Sequence, residues 1–463
     1  MAPSSTGAQP PLEFLPPAFD AKVHWLVKTL LPLWMRWRSS VKTVHIEGTE
    51  TLVRLFQDFQ NQQVRFLIAF RHPSPEDAYC LGHLIWCEMP RVAKQLGIPL
   101  TAIPHVHFIY DRGIPLWAGR GVGWLYRKLG GTPIQRGKVD RQGLKSVRQL
   151  FAQGQFPLAA APEGGNNGHT EIISPLEPGI AQFGFWCAED LQKCDRTETV
   201  VIVPLGIRYL YQTPPWTALG ELLTTLERDC GLTPTAAPLS PTPATAAVEV
   251  RALYPRLIAL GNHLLTLMEG YYRDFYHAPI AQGTEDSAGA DLAQRLQTLL
   301  DTALGVAEAF FQLPGKGSVI DRCRRIEQAG WDWIYREELR DHRHLSTVER
   351  GLADRIAEEA SLRMWHMRLV ESFVAVTGQY VREKPTVERF AETLLLLRDT
   401  LTLIKGENPF PRPYLGLQVA QLTVGTPLSV SDRIPAYRQS RRQAVADLTQ
   451  DLQTALEGLI GAA

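Results

Sequence analysis

What this chain lacks narrows its chemistry first. Its six cysteines, Cys80, Cys87, Cys187, Cys194, Cys230 and Cys323, form no CxxC pair, which excludes a dithiol redox motif or a zinc ribbon and reads as reduced, buried thiols in a cytoplasmic compartment. Twelve histidines are scattered without clustered partners, so no metal site is expected. There is no Gly-x-Ser-x-Gly elbow, which excludes a serine hydrolase of that type. There is no excess of either charge, 48 basic against 48 acidic residues, so a nucleic-acid binder relying on global charge is excluded. No apolar run approaches the ~20 residues that span a bilayer. The opening MAPSSTGAQPPLEFLPP has neither the basic start nor the apolar core of a signal peptide, and residues 1–22 read as a disordered tail. At 463 residues the chain exceeds one compact core, and two or three domains are expected.

What is present is organised around Val64 to Asp77, VRFLIAFRHPSPED. Phe66 to Phe70 reads as a buried strand of a parallel sheet. It ends in Arg71 and His72, and Ser74 is placed to cap a helix whose first turn holds Pro75, Glu76 and Asp77. His72 thus stands at the carboxyl end of a strand, where open α/β sheets place ligands. Asp77, five residues on, is close enough to fix the imidazole tautomer and leave the other ring nitrogen free to take a proton. The same residues also fit a plain capping box with His72 in a loop.

Residues 23–42 differ from the rest. Three tryptophans, Trp25, Trp34 and Trp37, mix with leucines, valines, Lys28, Arg36 and Arg38, a composition suited to a helix in a membrane interface. From there to Leu210, strand and helix patterns alternate, which implies a mixed, mostly parallel sheet with helices on its faces. Leu100 to Tyr110 reads as a strand, with His105 and His107 on one face. Asp140 is a candidate cap for a helix through Phe151, and His105 to Leu150 carries nine Lys or Arg against two Asp. Residues 231–247, GLTPTAAPLSPTPATAA, are a Pro-rich linker too poor in bulky side chains to pack. The pattern is then helical to about Lys405, and the leucine stripe of ERFAETLLLLRDTLTLI reads as bundle core. Strand chemistry returns in VAQLTVGTPLSV (419–430), followed by a last helix.

Four short blocks fall in order along the first half: Arg71-His72-Pro73-Ser74-Pro75-Glu76-Asp77, Gly131-Thr132-Pro133-Ile134-Gln135-Arg136, Ala161-Pro162-Glu163-Gly164-Gly165 and Val201-Ile202-Val203-Pro204. Together they resemble the glycerolipid acyltransferase family that includes lysophosphatidate acyltransferases. Arg71 stands where that family usually has Asn, Pro133 for Phe, Gly165 for Thr and Glu177 where Lys is frequent. The arginine that commonly follows the third block is missing, with Asn166, Asn167 and His169 near its place. The resemblance implies an α/β acyltransferase domain whose first part is residues 43–211. A helical subdomain is inserted at 212–412, and 413–463 supply a closing strand and helix.

It further implies that His72 is the general base, oriented by Asp77. Arg136, with Lys138 and Arg141 adding charge nearby, would bind an acceptor phosphate. Glu163 would accept from acceptor hydroxyls or brace the arginine, Gly164 would allow close backbone approach, and Pro204 would shape the strand or an acyl groove. The co-substrate would be an acyl-carrier-protein or coenzyme A thioester, with no cofactor and no metal, and the acceptor a lipid precursor such as lysophosphatidate or glycerol phosphate in phospholipid biosynthesis. The expected location is cytoplasmic, peripheral and monotopic on a membrane surface. Two other readings stand beside it: transfer to a non-phosphorylated or lysophospholipid acceptor, and a non-catalytic membrane-bound lipid-binding or scaffold protein.

Overall fold

Val64–Phe70 is buried from Val64 to Ala69 because both of its faces are covered. In the computed structural model, which describes residues 7–135, 140–234, 246–280, 289–340, 345–373 and 379–461, this run is the second of eight strands: β1 Val41–Glu47, β2 Val64–Phe70, β3 His107–Asp111, β4 Thr132–Ile134, β5 Leu158–Ala160, β6 Thr199–Tyr211, β7 Gln418–Val424 and β8 Leu428–Ser429. They form one sheet in the order β1-β7-β6-β2-β5-β3-β4, with β8 beside β6. All neighbours are parallel except β7 and β8, which run antiparallel to β6. The sheet is therefore mixed and mostly parallel, as its alternating pattern predicts.

Helices cover both faces of that sheet: α1 Ala21–Trp37, α2 Thr49–Gln60, α3 Asp77–His83, α4 Met89–Leu96, α5 Ile114–Ala118, α6 Arg120–Lys128, α7 Arg141–Gln153 and α8 Gly179–Lys193. Those that follow in sequence are α9 Trp216–Asp229, α10 Ala246–Tyr276, α11 Gly289–Phe311, α12 Val319–Ile334, α13 Thr347–Phe373, α14 Tyr380–Glu383 and α15 Val387–Ile404, then α16 Ile434–Gln439 and α17 Arg441–Gly461. Leu67 and Ala69 of β2 pack with Val147, Phe185 and Leu448 from α7, α8 and α17. Phe66 and Ile68 point the other way, onto Leu52, Leu84 and Met89 from α2 and the α3–α4 segment. Period-two alternation with two apolar faces gives the unbroken apolar run seen in the sequence.

The chain divides into two compact units. One contains Glu13–Gln135, Val139–Gln212 and Leu417–Ala463; the other contains Thr213–Gly416 and the amino-terminal residues up to Leu12. The second is helical, α9 to α15. At the boundary Gln212 donates its backbone N–H to Leu417 O at 2.9 Å. The chain leaves the sheet unit and re-enters it at adjacent residues, so the intervening helices need not distort it. β7 lies between β1 and β6, with Ala420 opposite both Val44 and Tyr209.

Several local expectations are corrected. Residues 7–20 are not a disordered tail. Ala8 is fully buried beside Leu339, Ala353 and Ala357, Gln9 N–H donates to Ile334 O at 2.7 Å, and Asp20 caps α1 and pairs with Lys128 at 3.1 Å. The helix expected across 23–42 ends at Trp37, and Val41 already belongs to β1. The strand expected from Leu100 begins only at His107, because Pro104 has no amide to give a ladder. Of the Pro-rich linker 231–247, residues 235–245 lie outside the described residues.

His105 and His107 are buried hydrogen-bonding residues. Leu129 O accepts from His105 Nε2 at 2.8 Å, so Nδ1 is the acceptor that takes the Trp86 indole N–H at 3.1 Å. His107 Nδ1 donates to Gly130 O at 2.9 Å. Burial pushes the His105 pKa down to about 3 and lowers that of His107. Unfolded histidine binds a proton near pH 6.5 that the folded ring refuses, so this contribution to stability is lost as pH falls below about 6.5. The urea midpoint is expected to fall from pH 7 to pH 4.5, and His105→Gln, which removes the titrating ring, is expected to show a shallower fall. An equal slope in that variant would rule out His105 as a source.

Candidate active site

β6 is thirteen residues long and runs past the end of β2. The two are in parallel register from Val64–Thr199 to Phe70–Leu205, so Tyr209 lies beyond the last ladder pair, beside the turn that follows β2. In that turn Asp77 is fully buried and His72 keeps 32 % of its side chain exposed. His72 Nδ1 lies 2.9 Å from Asp77 Oδ2, which also accepts the Ser74 backbone N–H at 3.0 Å. Asp77 Oδ1 accepts a hydrogen bond from the Tyr209 hydroxyl. The turn itself replaces the expected first helical turn: Glu76 N–H donates to Ser74 Oγ at 3.2 Å, and α3 starts at Asp77. Complete burial, with the Asp77 charge next to it, holds the Tyr209 pKa well above its ordinary value, so this hydroxyl stays a donor at any working pH. An ionised Asp77 makes His72 Nδ1 the protonated nitrogen and leaves Nε2 with its lone pair, the form needed for a base.

A second buried network fixes the backbone beneath His72. Glu163, in the loop after β5, accepts the His72 backbone N–H at 3.0 Å through Oε1. Through Oε2 it accepts Asn167 Nδ2 at 2.8 Å and Ser174 N–H at 2.9 Å. Arg71 Nε is 3.5 Å from Oε1, and both side chains are fully buried. The Arg71 guanidinium also donates to the carbonyls of Thr170, Ile172 and, at 2.9 Å, His169. The first block is thereby tied to the third through the arginine that stands where the family usually has asparagine. The role expected of Glu163 is corrected accordingly. Its carboxylate is enclosed by protein donors, and the arginine it braces is Arg71.

Gly164 adopts φ +70°, and a Cβ there would lie 2.2 Å from Glu177 Oε1. Glycine is thus required by the approach of the Glu177 carboxylate as well as by the left-handed backbone. Pro204 is buried in β6 opposite Ala69. Its carbonyl accepts Gly425 N–H at 2.9 Å, so its missing amide faces the same side. There β8 has stopped pairing at Ile202 and β7 begins at Leu205. A proline is tolerated in a central strand because that position has no ladder bond to lose. Arg136 and Lys138 lie outside the described residues. The residues leading to them are fixed by Asp140, which caps α7 through Gly143 N–H at 3.0 Å, accepts Gln135 N–H at 2.9 Å and pairs with Arg112. Arg141 is exposed.

The sequence does not mark Tyr209 or Arg71 as site residues; Arg71 stands within the first block only as a departure from its usual residue. Tyr209 is 132 positions from Asp77, and only the ladder register of β6 on β2 could have found it. Among the described residues no group of three or more His, Cys, Asp or Glu is arranged to hold a metal ion.

A histidine paired with a buried carboxylate at the carboxyl edge of a parallel sheet is an arrangement chemically able to take up and return a proton. Residues 43–208 match the family model described as Acyltransferase, and this part of the chain is an acyltransferase-family domain. No curated protein and no solved structure matches the chain.

Tyr209→Phe leaves Asp77 Oδ1 buried without its donor. It is expected to lower stability by about 1–3 kcal/mol, measured by urea unfolding. Tyr209→Phe as stable as the parent protein would mean that the hydroxyl is not what solvates Asp77.

Proposed function

We propose that the domain transfers a fatty acyl group from a coenzyme A or acyl-carrier-protein thioester to a hydroxyl of a glycerophospholipid precursor such as lysophosphatidate or glycerol phosphate. The observation that carries this reading is His72 held at 2.9 Å from the buried Asp77 carboxylate while still partly exposed. His72 Nε2 takes the proton of the acceptor hydroxyl as its oxygen attacks the thioester carbonyl carbon. The carbon–sulfur bond then breaks and the imidazolium returns the proton to the departing thiolate. Asp77 stabilises the imidazolium between these events, and such a base contributes typically ~10²–10⁴-fold. Arg136, with Lys138, is assigned to the acceptor phosphate by its place in the second block, since a guanidinium meets two phosphate oxygens at once.

The helix α1 supports a peripheral membrane location. Trp25, Leu26, Leu30, Leu33, Trp34 and Trp37 are exposed, while His24, Leu31 and Met35 face inward. Lys28, Arg36 and Arg38 lie on the same helix or at its end, near enough to reach lipid phosphates. None of the described helices is long and apolar enough to cross a membrane. The attachment we propose, from the exposed tryptophans of α1, is peripheral and monotopic on the cytoplasmic side, with indoles among the headgroups.

Thiol release from coenzyme A and acyl-carrier-protein donors, measured with purified protein against phosphorylated and neutral acceptors, tests the reaction. His72→Ala is expected to abolish turnover with the fold intact, and Asp77→Asn to reduce it less. Turnover near normal in His72→Ala would remove the mechanism. Arg136→Ala is expected to weaken a phosphorylated acceptor by about 2–3 kcal/mol, seen in its KM with little change for the donor. Equal changes in both would make Arg136 structural. Replacing Trp25, Trp34 and Trp37 by Ser should reduce flotation with anionic liposomes; unchanged flotation would remove α1 as the anchor.

A further inference from the structure

The helical unit contains an apolar cavity of about 110 Å³ between α10, α11, α13, α14 and α15. It lies outside the residues that match the acyltransferase family and shares none with the His72 site. Its depth is lined by buried leucines such as Leu257, Leu264 and Leu300, and its mouth by the partly exposed Ile258, Gly261 and Leu292 on α10 and α11. Besides Tyr254, the hydroxyl-bearing residues in its wall are Thr393, Thr400 and Tyr380, and their hydroxyls are engaged elsewhere. Thr393 Oγ1 donates to Arg389 O at 2.8 Å, Thr400 Oγ1 to Leu396 O at 2.9 Å, and the Tyr380 hydroxyl to Glu392 Oε2 at 2.8 Å. What those threonines turn to the cavity is methyl.

Native interiors leave few voids larger than one water. A water needs roughly 10–15 Å³ and 2–4 polar partners. This space has room for several waters and offers them few partners, so it is suited to hydrocarbon. At about 110 Å³ it is smaller than the apolar cavity of about 150 Å³ that accommodates benzene, so it has room for the terminal carbons of an unbranched chain that enters end first and leaves its remainder and head group outside. The leucine stripe of α15 therefore does two things: Leu394 and Leu401 are buried, and Leu396 and Leu397 line the cavity.

We propose that this cavity binds the terminal carbons of one unbranched hydrocarbon chain, the tail of a fatty acid or single-chain lipid, entering between α10 and α11. The site is separate from the acyl-transfer chemistry and does not rest on it. Gly261 supplies a selective test, since a Cβ added there meets nothing within 4 Å. A larger side chain enters open space at the mouth, and replacing a helical glycine does not weaken the helix.

The experiment is a titration of the full chain with an 18-carbon conjugated polyene fatty acid whose emission rises in apolar surroundings. Saturable binding is expected. It should weaken at least tenfold in Gly261→Leu and in Ile258→Trp, both with melting temperatures near the parent. Gly305→Leu, the same change on α11 at a glycine that also has open space but does not line the cavity, should bind as the parent does. Displacement by oleate, by oleoyl lysophosphatidate or by both supports the proposal and identifies the source of the chain. Absence of saturable binding, or equal affinity in the two folded mouth variants, would overturn it. Thioester turnover is a separate readout: a chain that binds the probe without turnover overturns only the reaction proposed above.

Discussion

The site depends on one carboxylate, Asp77, being fully buried and met there by protein donors. Taking such a charge out of water costs several kcal/mol even after relaxation, and only well-placed donors offset it. Here the donors are the Ser74 amide, the His72 ring and the Tyr209 hydroxyl. They come from the turn after β2 and from β6, so the two strands must hold their register for the charge to be tolerated at all. The same arrangement orients the imidazole, so the energetics of burial and the geometry of the His72 ring are one constraint.

Beneath it sits a second ionic contact, Arg71 with Glu163, also fully buried. Removing one partner of such a pair typically costs 3–5 kcal/mol, because the other charge remains buried. The pair fastens the His72 backbone to the loop after β5, and Arg71 reaches on to carbonyls at 169, 170 and 172. The turn that carries His72 is thus held on one side by Asp77 and on the other by Glu163. This explains why a strand-end loop, usually a mobile element, can present a ring with fixed orientation.

Much of this was legible in the sequence. The apolar run of β2 announced a strand buried on both faces, and the spacing of His72 and Asp77 announced their contact. Asp140 was readable as a cap because Asp before a helical pattern has a local job. The alternation of strand and helix gave the sheet, and the unbroken helical period marked off the stretch that became α10 to α15. What was illegible was long-range. Tyr209 is one apolar-looking residue in a β-branched strand, and its role exists only because β6 overruns β2. Arg71 read as a substitution because its hydrogen bonds go to backbone carbonyls, which leave no trace in residue identity, and its ionic partner Glu163 lies far along the chain. The paired histidines at 105 and 107 suggested a strand face, but Pro104 and two carbonyl acceptors set their geometry instead.

The placement of β7 bears on when the site can come into being. β7 pairs with the part of β6 that carries Tyr209, and it lies beyond the whole helical unit in sequence. A ribosome will have released His72, Asp77 and Tyr209 long before the strand that flanks Tyr209 emerges. Until then that half of β6 presents an unpaired edge, the kind of surface that invites wrong partners. Closing so long a loop adds only a logarithmic entropy penalty, so the finished sheet is little weakened by the detour. The delay is kinetic, and it makes the helical unit a stretch of chain that must be made before the His72–Asp77 pair acquires its full support.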